Sequence, residues 1–155
     1  MSDLKNLNVF SRSDELIGRL MSNFANTPFI LDDVEYASVE GFYVSLLFLE
    51  EEKRAKVSKL YGIVVKNMGK KSRLTKTCYL GEWFELGSDK HVELVKKAIR
   101  AKLEAHDGIR ADFVATNPRP IVHDCGHPEP VDTVFPASVF TRILTELRDE
   151  FSARD

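Results

Sequence analysis

Long apolar runs are missing from this chain: nothing approaches the roughly 18 consecutive apolar residues of a membrane-spanning helix. No membrane partner is therefore expected. Cysteine is scarce as well. Two residues, Cys78 and Cys125, cannot build a disulfide framework, and a reducing, cytoplasmic setting is the natural expectation. The opening Met1-Ser2-Asp3-Leu4-Lys5-Asn6 lacks the charged-then-apolar order of a signal peptide. No paired CxxC or HExxH spacing is present, and no metal is expected. The cluster His123-Asp124-Cys125-Gly126-His127 could offer two or three ligands, but it reads better as a polar loop. Neither cysteine carries a nucleophile signature by itself. Glycines are scattered rather than grouped into a dinucleotide fingerprint or a P-loop, so neither NAD-dependent redox chemistry nor ATP hydrolysis is indicated, and no cofactor is expected. A large charge of one sign is also absent: the net charge of −2 argues against non-specific coating of nucleic acid.

What is present suits one globular domain spanning residues 1–155, with 43% apolar and 30% charged residues. Charge is unevenly distributed. Lys53, Arg54, Lys56, Lys59, Lys66, Lys70, Lys71, Arg73 and Lys76 follow one another with no acidic residue between them. They form either a solvated face followed by a basic loop or a positive rim for a phosphate-bearing ligand. A nucleic-acid-binding role for this stretch predicts steep salt dependence and ranks last against the negative total.

Hydrophobic periodicity predicts a helix over Asp14–Phe24 with Ser13 as N-cap, and a hairpin turning at Asp32-Asp33. A nearly all-apolar helix runs from Val39 to Phe48 or Leu49, capped by Ser38. Two short helices between Lys53 and Asn67 break near Tyr61-Gly62. A strand-like piece covers Thr77–Leu80. Asp89–Ala105 is amphipathic, with Val92, Val95, Ile99 and Leu103 on one face and lysines opposite. A short helix over Asp107–Ala115, a strand at Ile121–His123 and a last helix opening near Pro136 complete the chain. The expected class is α+β, helix-rich, with one small sheet; no alternating βα pattern indicates a doubly wound fold.

Glu40 stands in the first turn of the apolar helix. The helix N-terminus favours its charged form, while desolvation by Phe42 and Tyr43 favours the neutral one. It can therefore be a poised acid or base, or simply a complement to the helix dipole. Trp83, the single tryptophan, can be core or a stacking platform for a flat base.

Ser22-Asn23-Phe24, Pro28-Phe29 with Leu31-Asp32, and Tyr36-Ala37-Ser38-Val39-Glu40 on to Phe48 resemble the opening motif of the NADAR, or YbiA-like, proteins. Gly69-Lys70, Trp83 with the Ala98–Leu103 segment, Pro120-Ile121-Val122 and Arg142–Arg148 are similar to its later segments. Two positions differ. The family's motif histidine is Gly41 here, and its Trp-Gly pair and glycine-rich turn are replaced by Val131–Pro136.

The resemblance implies a YbiA-like fold and hydrolysis of a ribose–base N-glycosidic bond. The implied substrate is ADP-ribosylated guanine, in a nucleoside or in DNA, or a phosphorylated ribosylamino intermediate of riboflavin synthesis. Glu40 falls on the family's functional glutamate and Trp83 on its tryptophan, with Asp124 or Asp132 as a second carboxylate. Asn23 would contact ribose or orient Glu40. Lys66, Gly69 and Lys70, with Lys71 and Arg73, would meet phosphate. The alternative is a non-catalytic module that binds ADP-ribose or a nucleotide.

Overall fold

The computed structural model describes residues 4–154; Met1, Ser2 and Asp3, part of the stretch used above against a signal peptide, lie outside them. In chain order the elements are β1 (Leu7–Asn8), α1 (Leu16–Leu20), β2 (Phe29–Leu31), β3 (Val34–Tyr36), α2 (Val39–Ser45), α3 (Glu51–Ser58) and α4 (Ile63–Gly69). Then follow β4 (Lys76–Tyr79), β5 (Glu82–Glu85), α5 (Asp89–Ala105), α6 (Asp107–Val114), β6 (Ile121–Val122) and α7 (Ala137–Arg154). The class is helix-rich α+β, as expected. Strands are distributed differently from the expectation: among the described residues, three separate two-stranded ladders form instead of one small sheet. Among the described residues no helix is long and apolar enough to cross a membrane. The chain forms two compact units, Met1–Ser22 with His106–Asp155, and Asn23–Ala105.

In the first unit β1 lies parallel to β6, pairing Leu7 with Ile121 and Asn8 with Val122. Two flanking bonds, Leu7 N to Pro120 O at 2.8 Å and Val9 N to Val122 O at 2.9 Å, extend this short ladder. A two-residue strand has almost no period to detect, which is why β1 escapes the sequence reading. Helix α7 presents Phe140, Ile143, Leu144, Leu147 and Phe151 to the core, joined by Leu7, Val9 and Phe113. Arg119 ties the unit's two chain segments together. Its guanidinium donates to both carboxylate oxygens of Glu15, at 2.6 and 3.0 Å, and to the carbonyls of Lys5 and Asn6. Those bonds from Arg119 hold the Glu15 carboxyl below its ordinary pKa. Helix α1 is shorter than predicted. Its N-cap is Glu15, while Ser13 Oγ accepts from the Glu15 N–H at 3.4 Å and makes no helix cap. Leu16, assigned to its apolar face, is 60% exposed.

The second unit is built around α2. Strands β2 and β3 form the expected hairpin, pairing Phe29 with Tyr36. Asp32 and Asp33 both adopt positive φ, 49° and 67°, the requirement of a two-residue turn whose twist matches the strands. Ser38 caps α2 as predicted: its Oγ accepts from Gly41 N at 2.9 Å and donates to Leu60 O at 3.0 Å. Helix α2 ends at Ser45 rather than at Phe48 or Leu49, and Ser45 Oγ turns back on Phe42 O at 2.6 Å. Phe42 is fully buried, with Tyr36 and Tyr79 edge-on at 5.2 and 5.6 Å. Helices α3 and α4 fall where the break at Tyr61-Gly62 predicts. The predicted strand-like piece is half of a hairpin. Its partner β5 pairs Cys78 with Trp83 and Thr77 with Phe84 across a turn at Leu80-Gly81.

Because Ser38 is buried and makes both of those bonds, Ser38→Ala removes a cap and leaves two polar groups without their partner. A loss of about 2 kcal/mol is expected from urea unfolding, with no change in the denaturant slope.

Candidate functional site

Glu40 occupies the second position of α2, and its own N–H donates to Asn23 O at 2.9 Å. Part of its surface stays open, but the carboxyl is closely surrounded. Burial pushes its pKa up to about 7, while the Lys66 ammonium on α4 pulls in the opposite direction. Desolvation therefore wins over the charge-stabilising effects, which resolves the conflict posed by the sequence. Tyr43 lies one turn further along α2, on the same face as Glu40. Burial first and the Glu40 charge second raise its phenol to about 12, so it remains a neutral hydrogen-bonding group.

Behind Tyr43 an aromatic stack carries the geometry into α5 and β5. The His91 ring lies against Tyr43 at 5.3 Å and 26°, and against Phe84 at 6.0 Å and 30°. Its Nδ1 accepts from Gly87 N at 2.9 Å. Burial lowers the His91 pKa to about 4, so the ring is neutral at physiological pH. Asn23 adds a polar group: its side-chain Oδ1 is buried without a hydrogen-bond partner, a cost tolerated at ligand sites.

The other expected site residues divide. Lys66 reaches Glu40 electrostatically. Lys70 is exposed at the C-cap of α4, its N–H on Lys66 O at 3.2 Å, a position where any lysine complements the helix dipole. Gly69 has a packing reason to be glycine: a Cβ there would sit 3.1 Å from Val44 and 3.2 Å from Leu47. Trp83 is 58% exposed on β5, which rejects the core reading. It leaves the strand on the face opposite Phe84, away from the His91 stack. Asp124 and Asp132 belong to the other unit. Asp124 Oδ1 accepts from Gly126 N at 2.9 Å and its backbone is pinned by Asn8; Asp132 is exposed in a turn. The basic stretch also divides. Arg54 is structural, donating to Phe48 O, Thr77 Oγ1 and Cys78 O, whereas Lys56, Lys59, Lys66, Lys70, Lys71 and Lys76 are exposed.

The family model for bacteriophage protein GP30.3 matches residues 16–149. The chain belongs to this family. A search of curated proteins finds no match. Among solved structures, the NMR structure of the Escherichia coli protein YbiA is similar with a TM-score of 0.67 and 21% identity, covering 99% of this chain and 90% of that one. The YbiA-like fold expected from the sequence motifs is therefore present, and at this identity the likeness is one of fold.

Within this GP30.3 family chain, Gly41, where the NADAR motif has histidine, has a physical explanation. It is buried, and a Cβ would press on Leu60 O at 3.1 Å, Val57 O at 3.2 Å and Ser38 Oγ at 3.3 Å. The close approach of α2 to the end of α3 leaves no room for a side chain. Two interior polar residues escaped the sequence reading, His91 and Lys102. Both are at most 1% exposed, and burial lowers Lys102 to about 7. The signal was available: His91, Val95, Ala98 and Lys102 recur at helical spacing on the apolar stripe of α5, so Lys102 does not lie opposite it as assumed.

Proposed function

We propose that the chain is an N-glycosidase that hydrolyses a ribose–base bond, with Glu40 as its proton-transfer group and ADP-ribosylated guanine, in a nucleoside or in DNA, as the substrate class. One observation carries the reading: a closely surrounded carboxyl, on a residue that is itself partly exposed, with its pKa pushed up to about 7 by burial, able both to give and to take a proton near neutrality. As the bond to ribose C1 breaks, the sugar acquires oxocarbenium character and the departing base nitrogen needs a proton. Protonated Glu40 supplies it, and ionised Glu40 then accepts a proton from the attacking water. Asn23, with its buried amide oxygen, would accept from a ribose hydroxyl. Lys66 and Lys70, at the C-terminal end of α4, would meet the phosphates. The YbiA-like fold supports the reading as analogy.

The test is release of free ADP-ribose from ADP-ribosylated guanosine and from ADP-ribosylated DNA, with a phosphorylated ribosylamine as the competing substrate. Tight binding of ADP-ribose by calorimetry without turnover of any of the three would replace the enzyme by a binding module. If Trp83 stacks on the base, Trp83→Ala should raise KM by roughly tenfold or more with kcat little changed, since base–aromatic stacking contributes about 1–3 kcal/mol. An unchanged KM would return Trp83 to an ordinary surface residue.

A further inference from the structure

The polar loop after β6 contains an arrangement that the proposed glycosidase chemistry does not use. Cys125 Sγ lies 3.3 Å from His123 Nε2, and the opposite ring nitrogen, Nδ1, lies 2.6 Å from Val9 O. A carbonyl oxygen can only accept, so Nδ1 carries the ring proton and Nε2 of the neutral ring is left to accept from the thiol. The ring is held in that orientation by packing: Phe10 stands edge-on at 6.2 Å and Phe140 edge-on at 5.4 Å. The loop itself is pinned by the paired bonds between Asn8 and the Asp124 backbone, at 3.0 and 2.9 Å. Nucleophile, base and base-orienting group thus stand in the order that activates a thiol, supplied by three separate positions around the β1–β6 ladder. Cys125 is partly exposed, as a reactive thiol must be. Cys78 is likewise partly exposed and sits within β4, opposite Trp83. It provides an internal control.

We propose that Cys125 is a nucleophilic thiol activated by His123, and that it takes low-molecular-weight disulfides in exchange. In the step, Cys125 Sγ attacks one sulfur of the disulfide while its proton passes to His123 Nε2. The new S–S bond forms as the old one breaks, and the departing thiolate leaves with the electron pair. A second small thiol reverses the reaction. This site is independent of Glu40.

Two single-thiol proteins test it, Cys78→Ser, which retains Cys125, and Cys125→Ser, which retains Cys78. Each is treated with oxidised glutathione at neutral pH, and mixed-disulfide formation is followed by intact mass. Cys125 should react roughly tenfold faster than Cys78 in the folded proteins, given how far a neighbouring histidine raises the thiolate fraction. The two rates should converge in denaturant. Adding His123→Gln to Cys78→Ser should slow Cys125 to about the rate of Cys78. Equal rates in the folded proteins, or a Cys125 rate indifferent to His123→Gln, would overturn the proposal. If His123→Gln does not fold, the native-versus-denatured comparison decides alone.

Discussion

Replacing Glu40 by glutamine is expected to lower the turnover of the proposed glycosidase reaction by a factor of roughly 10² to 10⁴, the range supplied by a positioned acid or base, and to make the protein more stable above neutral pH. The second effect follows from the first residue's environment. Its carboxyl titrates at about 7 in the folded chain, against an ordinary value of 4.5. Below pH 4.5 both folded and unfolded states hold the proton and nothing is lost. Between 4.5 and 7 the unfolded chain gives up a proton that the folded chain retains, so stability falls as pH rises. The loss is complete a little above 7 and amounts to at most about 3 kcal/mol. His91 acts with the opposite slope, because its folded value is about 4 against 6.5; stability is lost as pH falls through that window. In the wild-type chain the two trends offset each other between about pH 4.5 and 6.5. In Glu40→Gln the His91 trend stands alone. Urea unfolding of both proteins at pH 4.5 and 7.5 checks this: the gap between them should be small at the lower pH and up to about 3 kcal/mol at the higher. A catalytic loss without the stability gain would mean that Glu40 is not desolvated. The gain without the loss would remove Glu40 from the chemistry and leave a strained carboxyl with no task.

How much of this was legible beforehand depends on what each feature rests upon. Where local chemistry determines the backbone, the sequence is sufficient: Ser38 caps α2, Asp32-Asp33 turns the hairpin, and α5 begins and ends at Asp89 and Ala105. Elements held by distant partners are not legible in this way. β1 exists because residues 7–9 pair with Pro120–Val122 across more than 100 positions, and α1 begins only at Leu16, after an N-cap residue, Glu15, whose carboxylate is held by the distant Arg119. The candidate site shows the same division. The motif located Glu40, and the helix pattern showed that two forces act on its carboxyl. Which one prevails depends on how α2 packs against α4 and α5, which no local window contains. Lys102 is a different case: its spacing places it on the apolar stripe of α5, while its charge argues for the opposite face, and the structure follows the spacing.

Gly18→Ala should be destabilising even though helix propensity alone predicts the reverse. In an exposed helix the exchange would stabilise by about 1 kcal/mol. Gly18 is buried in α1, however, and a Cβ there would stand 2.3 Å from Asn8 O, 2.5 Å from Ser13 Oγ and 2.9 Å from Ser13 Cβ. The Ser13 hydroxyl can rotate away, but the Asn8 carbonyl cannot, because β1 is fixed on both sides of it by the bonds of Leu7 and Val9 to the β6 segment. Overpacking against fixed backbone costs about 3 kcal/mol, which exceeds the propensity gain and leaves a net loss of about 2 kcal/mol, a fall in Tm of roughly 4–8 °C for a chain of this length. The loss should also have an address. Asn8 holds the Asp124 backbone through two bonds, so amide exchange should quicken at Leu7–Val9 and at Ile121–Asp124. A stabilised variant would show that β1 shifts freely and that Gly18 is conformational filler, whereas a loss with unchanged exchange in β1 would mean that the strain is absorbed within α1.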